Sequence, residues 1–177
     1  MGILRSILGK DTTTDVLELL ESQHKEVDML FEAIEKGEGD RRALLEELAD
    51  KLAAHAAVEE KLFYPAVMAK KTNSLLHESV EEHLSIKRVL ADLIEKSLDD
   101  DTFMAKITVL KEHVSHHAHK EEEKKLFPIV RSMFTSDERA ALGNEILVMF
   151  EDLMAGSPRN NVPAEVEDAA PLPRATA

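Results

Sequence analysis

The segments "HAAVEEKLFYP" at residues 55–65 and "HAHKEEEKKLFP" at residues 117–128 are two versions of one pattern. Each places a histidine and a glutamate four residues apart. The pairs are His55 with Glu59 and His117 with Glu121. In an α-helix, residues i and i+4 lie about one turn apart on the same face. Each segment is therefore expected to present an imidazole and a carboxylate side by side toward a common point.

Around these segments, apolar residues recur at helical spacing in four long stretches. The first helix is expected to end at the breaker "KGEG" (36–39), and the others are expected at about 41–69, 74–96 and 102–130. One histidine interrupts the apolar stripe of each helix: His24, His55, His83 and His117. Short connections between amphipathic helices predict an all-α fold, an antiparallel up-down four-helix bundle. One histidine of each helix then faces the bundle axis.

An internal repeat supports this arrangement. "HKEVDMLFEAIEK" at 24–36 parallels "HLSIKRVLADLIEK" at 83–96, 59 residues later, and the two His/Glu segments are offset by 62 residues. The repeating unit is a helical hairpin. Two such hairpins close a four-helix bundle with approximate twofold symmetry.

The chain is expected to divide into four parts. The bundle occupies residues 12–133, and an additional C-terminal helix, capped by Ser136, lies within 134–155. The Pro/Ala-rich residues 156–177 are expected to be a disordered tail. The N-terminal segment 1–11 is too short and interrupted for a signal sequence or a membrane span. It is expected either to pack on the bundle or to act as a weak surface anchor.

Composition narrows the partners and the chemistry. The chain has 177 residues, 44% apolar content, a net charge of −13 and no cysteine. The negative charge disfavours nucleic acid and anionic membranes as partners. The absence of cysteine excludes disulfides, iron–sulfur clusters and thiolate zinc sites, and it fits a cytoplasmic location. Any metal must therefore be held by nitrogen and oxygen ligands.

If Glu59 and Glu121 are both buried, their negative charges require positive charge nearby. A buried carboxylate without a counter-charge costs several kcal/mol. Two metal ions on the bundle axis supply that charge, with imidazoles as terminal ligands and carboxylates as bridges. Imidazole and carboxylate together suit iron, manganese or zinc. Four histidines and two bridging glutamates leave coordination positions open for a small molecule such as dioxygen, peroxide, nitric oxide or water.

The remaining polar candidates are weaker. His77 is expected at the surface or beside a ligand, and His113 is expected to support His117 or, less often, to ligate. His116 and His119 are expected to face outward. The only tyrosine, Tyr64, lies by helical angle on the side of its helix opposite His55, so a packing role is favoured over a redox role.

The doubled H…HxxxE order, with "EE.LFYP" and "EE.KLFP" at the helix ends, resembles the hemerythrin-like, HHE cation-binding domain family over about residues 14–133. The resemblance implies a four-helix bundle around a non-haem di-iron centre, bridged by an oxo or hydroxo group. It also implies binding or sensing of dioxygen, or handling of peroxide, nitric oxide or iron. Carried over position by position, the metal ligands are His24, His55, Glu59, His83, His117 and Glu121.

Two positions depart from the family pattern. Oxygen-carrying hemerythrins place a second histidine one turn after the first on the third helix, where this chain has Lys87, so reversible oxygen transport is not expected. In addition, Glu59 precedes Pro65 by six residues, whereas Glu121 precedes Pro128 by seven. Counting back from the second proline would pair Glu122 with Ala118, which cannot ligate. The apolar stripe favours His117 and Glu121, with the extra residue absorbed by a π-bulge or by phase drift of the helix before "LFP".

Other functions remain open or are disfavoured. Ferritin-like di-iron bundles use Glu-x-x-His on two helices, and "ESQH" at 21–24 is the only such match here. Alternatives to a binding or sensing protein are a redox enzyme that removes peroxide or nitric oxide, an iron-storage protein, or a structural metal bundle.

Overall fold

The computed structural model describes residues 14–175. Its helices are α1 (Val16–Lys36), α2 (Arg41–Val58), π1 (Glu59–Phe63), α3 (Tyr64–Val67), α4 (Asn73–Glu95), α5 (Phe103–Ser115), π2 (His116–Leu126), α6 (Phe127–Met133), α7 (Ser136–Ala155) and a 3₁₀-helix (Pro158–Ala164). The N-terminal segment 1–11 lies outside the described residues. Within the described part of the chain, no helix is both long and apolar enough to cross a bilayer.

Four helical rods form a bundle. They are α1, the continuous run α2–π1–α3, α4, and the continuous run α5–π2–α6. α1 packs beside α2 and α4 beside α5, while contacts of α2 with α4 and of α1 with α5 close the ring. Because short loops connect neighbouring rods, successive rods run antiparallel. The structure confirms the predicted all-α bundle and the additional C-terminal helix, α7.

The first hairpin is set by local signals. Asp15 caps α1 by accepting a hydrogen bond from the Leu17 amide, and Asp40 caps α2 in the same way through the Ala43 amide. Between the two helices, Gly37 adopts a left-handed conformation, with φ of 70°, which ends α1. Glycine adopts this conformation without the steric cost that a β-carbon imposes.

The bundle interior consists of two apolar clusters separated by a polar layer. One cluster includes Phe31, Leu48, Leu90 and Ile107, and the other includes Leu17, Phe63, Leu76 and Phe127. Along α1, His24 lies between Leu20 of the second cluster and Val27 of the first. The other three stripe histidines occupy the same level on their own rods. The apolar clusters therefore hold four rods in register around a buried polar layer.

α7 packs against α1 and α2 on the outside of the bundle. The sequence predicted Ser136 as its cap, but Thr135 is the capping residue. The Thr135 side chain accepts from the Glu138 amide, and the Glu138 carboxylate accepts from the Thr135 amide. This reciprocal pair satisfies two amides that would otherwise lack partners at the helix start.

Gly143 allows α7 to approach the start of α1. A β-carbon at this position would lie 1.9 Å from the Thr14 carbonyl oxygen and 2.9 Å from the Val16 amide nitrogen. Both neighbours are backbone atoms, which cannot move aside as a flexible side chain does. The close contact between α7 and α1 therefore requires glycine at residue 143.

We predict that Gly143→Ala lowers the free energy of unfolding by about 1–3 kcal/mol, the usual cost of overpacking. Gly156→Ala is the matched control, because its β-carbon would meet only the Leu153 carbonyl oxygen, at 3.5 Å. Urea unfolding of both metal-free variants measures the difference. Equal stabilities would show that α7 does not pack on α1 as described.

The C-terminal segment differs from the sequence prediction of a disordered tail. Its 3₁₀-helix (Pro158–Ala164) lies against α2 and α4. The Arg159 guanidinium pairs with Asp50 and Glu46, and Val162 is only 1% exposed, within the first apolar cluster. Through residue 175 this segment is therefore part of the folded domain.

The physical reason for this error is that the segment has no apolar periodicity. Its order depends on isolated contacts with distant residues, such as the bonds from Arg88 to the carbonyl oxygens of Val166 and Glu167, at 3.0 and 3.1 Å. A local pattern does not reveal such contacts.

We predict that Val162→Ala destabilises the protein by about 2 kcal/mol, because two buried carbons are lost and a small cavity remains. Val148→Ala is the control, since Val148 is 61% exposed and its loss should cost less than about 0.5 kcal/mol. Thermal or urea unfolding tests the pair. An unchanged stability for Val162→Ala would support the original prediction of a disordered tail.

Candidate metal centre

Five of the six predicted ligands meet in the polar layer. The Nε2 atoms of His24 and His55 lie 3.2 Å apart, and those of His83 and His117 lie 2.9 Å apart. Glu59, the fifth, is completely buried between the two histidine pairs. The bundle thus brings together the ligand-type residues that interrupt the four apolar stripes.

Glu121, the sixth predicted ligand, does not join them. Although Glu121 is only 5% exposed, its carboxylate is bound by Lys125 Nζ at 2.7 and 2.6 Å and lies outside the groups of side chains that could share a metal ion. Glu122 takes its place and is completely buried. Glu122 Oε2 lies 3.3 Å from His24 Nε2 and 3.7 Å from His117 Nε2.

The π-helix π2 causes this exchange. A π-helix closes i→i+5 hydrogen bonds and therefore has more residues per turn than an α-helix. The residue that returns to the face of His117 is then Glu122, five positions on, rather than Glu121, four positions on. The seven-residue spacing from Glu121 to Pro128 was the available signal. The sequence-based prediction placed the extra residue between Glu121 and "LFP". In the structure, the wider turn already begins at His116, so the extra residue falls between His117 and the inward glutamate.

The π-helix π1 has a similar effect on Tyr64. Its hydroxyl lies 3.0 Å from Glu122 Oε1, 3.4 Å from Glu59 Oε2 and 3.3 Å from His83 Nε2. The helical angle had placed Tyr64 on the opposite side of its helix, which is wrong because π1 begins at Glu59 and turns the fifth residue onward back to the same face. Burial, Glu122 and Glu59 raise the pKa of Tyr64 well above its usual value, so the phenol keeps its proton.

Each of the four histidines is held from behind through Nδ1. The acceptors are Glu123 for His24 (2.8 Å), Gln23 for His55 (2.7 Å), Glu60 for His83 (3.0 Å) and Glu82 for His117 (2.8 Å). A proton on Nδ1 leaves the Nε2 lone pair free to bind a cation. All four Nε2 atoms point into the polar layer, which is the orientation that metal-binding histidines require.

The two carboxylates divide the centre into two halves. Glu59 Oε1 lies 3.2 Å from His55 Nε2, whereas Glu59 Oε2 lies 3.2 Å from His83 Nε2. Glu122 Oε2 faces His24 and His117, one histidine from each half. Each half thus has two imidazoles, and both glutamates reach the two halves. Bridging carboxylates between two ions require this geometry.

Two unpaired oxygen atoms test whether a cation fits. Glu59 Oε1 and Glu122 Oε2 are buried and have no hydrogen-bond partner. Each lies within 3.3 Å of a histidine Nε2 without forming a hydrogen bond to it. Cations placed between these oxygens and the Nε2 lone pairs would satisfy both sets of atoms. The nitrogen and oxygen donors therefore fit a metal ion such as iron, manganese or zinc.

Comparison with known proteins identifies the family of this chain. The sequence model of the Hemerythrin HHE cation binding domain matches residues 15–130, about two thirds of the chain. The chain belongs to this family. A crystal structure of a hemerythrin HHE cation binding domain-containing protein from Mycobacterium kansasii superposes with a TM-score of 0.71 at 23% identity, covering 86% of this chain and 94% of that one. No curated protein matches the chain.

Two of the inward histidines of this HHE domain, His24 and His117, have raised pKa values and carry an additional proton at neutral pH in the metal-free protein. Burial opposes protonation of His24, but Glu122 and Glu123 outweigh it and raise the pKa of His24 to about 9. Burial also opposes protonation of His117, whose pKa Glu122 and Glu59 raise to about 10. Although burial raises the pKa of Glu59, His55 and His117 hold it well below the usual value. Metal ions must displace these protons, so binding is expected to strengthen as pH rises.

The other histidines of the HHE domain lie outside the polar layer. His77 and His113 are exposed, and His116 is 58% exposed beside Glu121. His119 is half-buried and bonds Glu123 and Asp28. None of these side chains reaches the bundle axis, in agreement with the outward assignment of His116 and His119. His113 does not support His117 as predicted, because His117 Nδ1 bonds Glu82 instead.

Lys87, at the position where carriers have a further histidine, also points away from the centre. Its ammonium binds Glu60 at 2.9 and 3.0 Å and Glu165 of the C-terminal segment at 2.9 Å. Glu60 in turn holds His83. Lys87 therefore stabilises Glu60, which holds the candidate ligand His83, and its ammonium does not face the central cavity.

A small cavity adjoins the four histidines. Its volume is about 30 Å³, and its apolar wall is formed by Val27, Leu52, Ala56, Ile86, Val114 and Ala118. This space has room for a diatomic molecule or about two waters. The histidine side is polar, and the opposite side is a hydrocarbon surface.

We predict that Glu122→Gln lowers the amount of metal bound per chain at least twofold, because an amide lacks the negative charge of the carboxylate that faces His24 and His117. Glu121→Gln is the matched control, since the Glu121 carboxylate binds Lys125 outside the centre. Elemental analysis after anaerobic loading measures both variants. Loss of metal in Glu121→Gln with retention in Glu122→Gln would restore the sequence-based assignment.

Proposed function

We propose that the chain is a non-haem di-iron protein that binds or senses dioxygen or a related oxidant, peroxide or nitric oxide. The proposed ligands are His24, His55, Glu59, His83, His117 and Glu122. The observation that carries the proposal is the pair of buried, unpaired carboxylate oxygens that face four inward Nε2 atoms. Unpaired carboxylate oxygens in the interior of a bundle are destabilising unless a cation binds them.

The donor set favours two ions over one. His24, His55, Glu59 and Glu122 converge in one half, and Glu59, His83 and His117 converge in the other. Both sets combine imidazole with carboxylate, which iron accepts in either of its common oxidation states. Zinc and manganese are the alternatives that the same donors allow.

Bound iron would supply one-electron redox chemistry and open positions for a small ligand. The chain supplies the rest. Gln23 and the three outer glutamates keep the Nε2 lone pairs directed inward. The apolar wall of the cavity excludes bulk water and limits the ligand to a few atoms. Tyr64 holds a proton at its hydroxyl, 3.0 Å from Glu122.

Tyr64 favours a second candidate, a redox enzyme that removes peroxide or nitric oxide. Reversible binding consumes no net proton, whereas reduction of peroxide or nitric oxide consumes both electrons and protons. The Tyr64 hydroxyl lies 3.3 and 3.5 Å from the Nε2 atoms of His83 and His117, within the centre itself. Mineral storage is disfavoured, because a cavity of about 30 Å³ has no room for an iron core.

We predict that the reduced, iron-loaded protein is oxidised by oxygen and does not recover its starting spectrum under vacuum. The donor set has only four histidines, because the position of a fifth is taken by Lys87, whose ammonium binds Glu60. A bound iron would therefore keep an open position at which oxygen can oxidise it. Repeated cycles of oxygen and vacuum, followed by optical absorption, measure reversibility. Full recovery over several cycles would establish a carrier and contradict this expectation.

Tyr64→Phe distinguishes reaction from binding. It removes the phenolic proton but keeps the ring that packs beside His83. If the centre is an enzyme, peroxide or nitric oxide consumption should fall by about tenfold or more, as is typical when a proton donor is removed, while the metal content stays at two. If the protein only binds or senses, ligand affinity should change little.

A further inference from the structure

A surface groove lies beside the centre, between α1, α2 and α7. Its volume is about 310 Å³, and its apolar lining is Leu19, Leu147, Phe150 and Met154. Glu26, Lys51 and Glu151 also line it. Because Lys51 pairs with Glu26 at 2.6 Å, Glu151 leaves one net negative charge in the groove.

Gln23 forms the wall between this groove and the central cavity, because its side chain lines both. Within residues 14–175, its side chain makes one hydrogen bond, accepted from His55 Nδ1 at 2.7 Å. His55 is also the most exposed of the four inward histidines, at 8% against 2–4% for the others. A single neutral amide therefore separates the groove from the candidate metal centre.

The Nδ1 partners of His83 and His24 are held more strongly than Gln23, because they are carboxylates bound by further side chains. Glu60 is clamped by Lys87 at 2.9 and 3.0 Å, and Glu123 is bound by His119 at 3.0 Å. Hydrogen bonds that involve ionised groups are roughly twice as strong as neutral ones. A second groove, lined by Glu82, Ser85, His113 and His116, shares no lining residue with the central cavity.

We propose that Gln23 is a gate, and that the groove between α1 and α7 is the path by which metal ions and small ligands reach the centre. This inference rests on the proposed function. Rotation of the Gln23 side chain breaks one neutral hydrogen bond and joins the groove to the cavity. The net negative charge in the groove attracts cations, and its apolar lining is compatible with uncharged diatomic ligands.

The test is the rate of Fe²⁺ uptake by the metal-free, full-length chain under anaerobic conditions. Ser22→Trp places an indole in the groove, because Ser22 is an exposed groove residue one position before Gln23. Ser85→Trp is the matched control, since Ser85 is an exposed serine on the groove beside Glu82. Leu147→Trp fills the first groove from α7 and replaces Ser22→Trp if that variant does not fold, as judged by circular dichroism.

We expect Ser22→Trp and Leu147→Trp to slow Fe²⁺ uptake by about tenfold, the effect of about 1.4 kcal/mol on a barrier, with an unchanged final content of two ions. Ser85→Trp should load at the wild-type rate. Wild-type rates in both groove variants, or equal slowing in Ser85→Trp, would overturn the inference. Failure of the wild-type chain to take up two ions would instead overturn the proposed function, so the two failures are distinguishable.

Discussion

The structure depends on the burial of two carboxylates, Glu59 and Glu122, in the middle of a helical bundle. Each has an oxygen with no hydrogen-bond partner, and both are completely buried. Buried charge of this kind is tolerated only when positive charge lies beside it. Protonated His24 and His117, whose pKa values are raised to about 9 and about 10, provide that charge in the metal-free protein. In the proposed metal-bound state, cations between the carboxylates and the inward histidines would provide it. The surrounding helices have to supply this geometry.

Contacts around the centre make the orientation of the inward histidines depend on the packing of the whole bundle. Every inward histidine is fixed through Nδ1 by a residue of a neighbouring rod. One of these supports, Glu60, is itself held by Lys87, which also binds Glu165 of the C-terminal segment. The C-terminal segment, which has no apolar periodicity in its sequence, thus contributes to the position of His83 through Glu165, Lys87 and Glu60. Conserving the ligands alone would not conserve the orientation of the site.

Most of the fold could be predicted from the sequence, because periodic apolar stripes and helix caps are local signals. The stripes located all four rods and α7, and their interruptions identified the four histidines and Glu59. A buried carboxylate at helical spacing from a histidine indicated a metal centre before any distance was known. The C-terminal segment was mispredicted, because Val162 and Arg159 are held by residues that are remote in sequence.

The sequence by itself determined the helical bundle, its polar layer and the donor chemistry, since these follow from residue type and period. Only the tertiary structure decided which glutamate enters the centre and that Tyr64 joins it. Both choices depend on π1 and π2, where one additional residue per turn changes the face that a side chain occupies. Residue spacing revealed that a residue was extra. Its position was decided by packing, because Phe127 and Val130 anchor α6, the helix after π2, in the second apolar cluster.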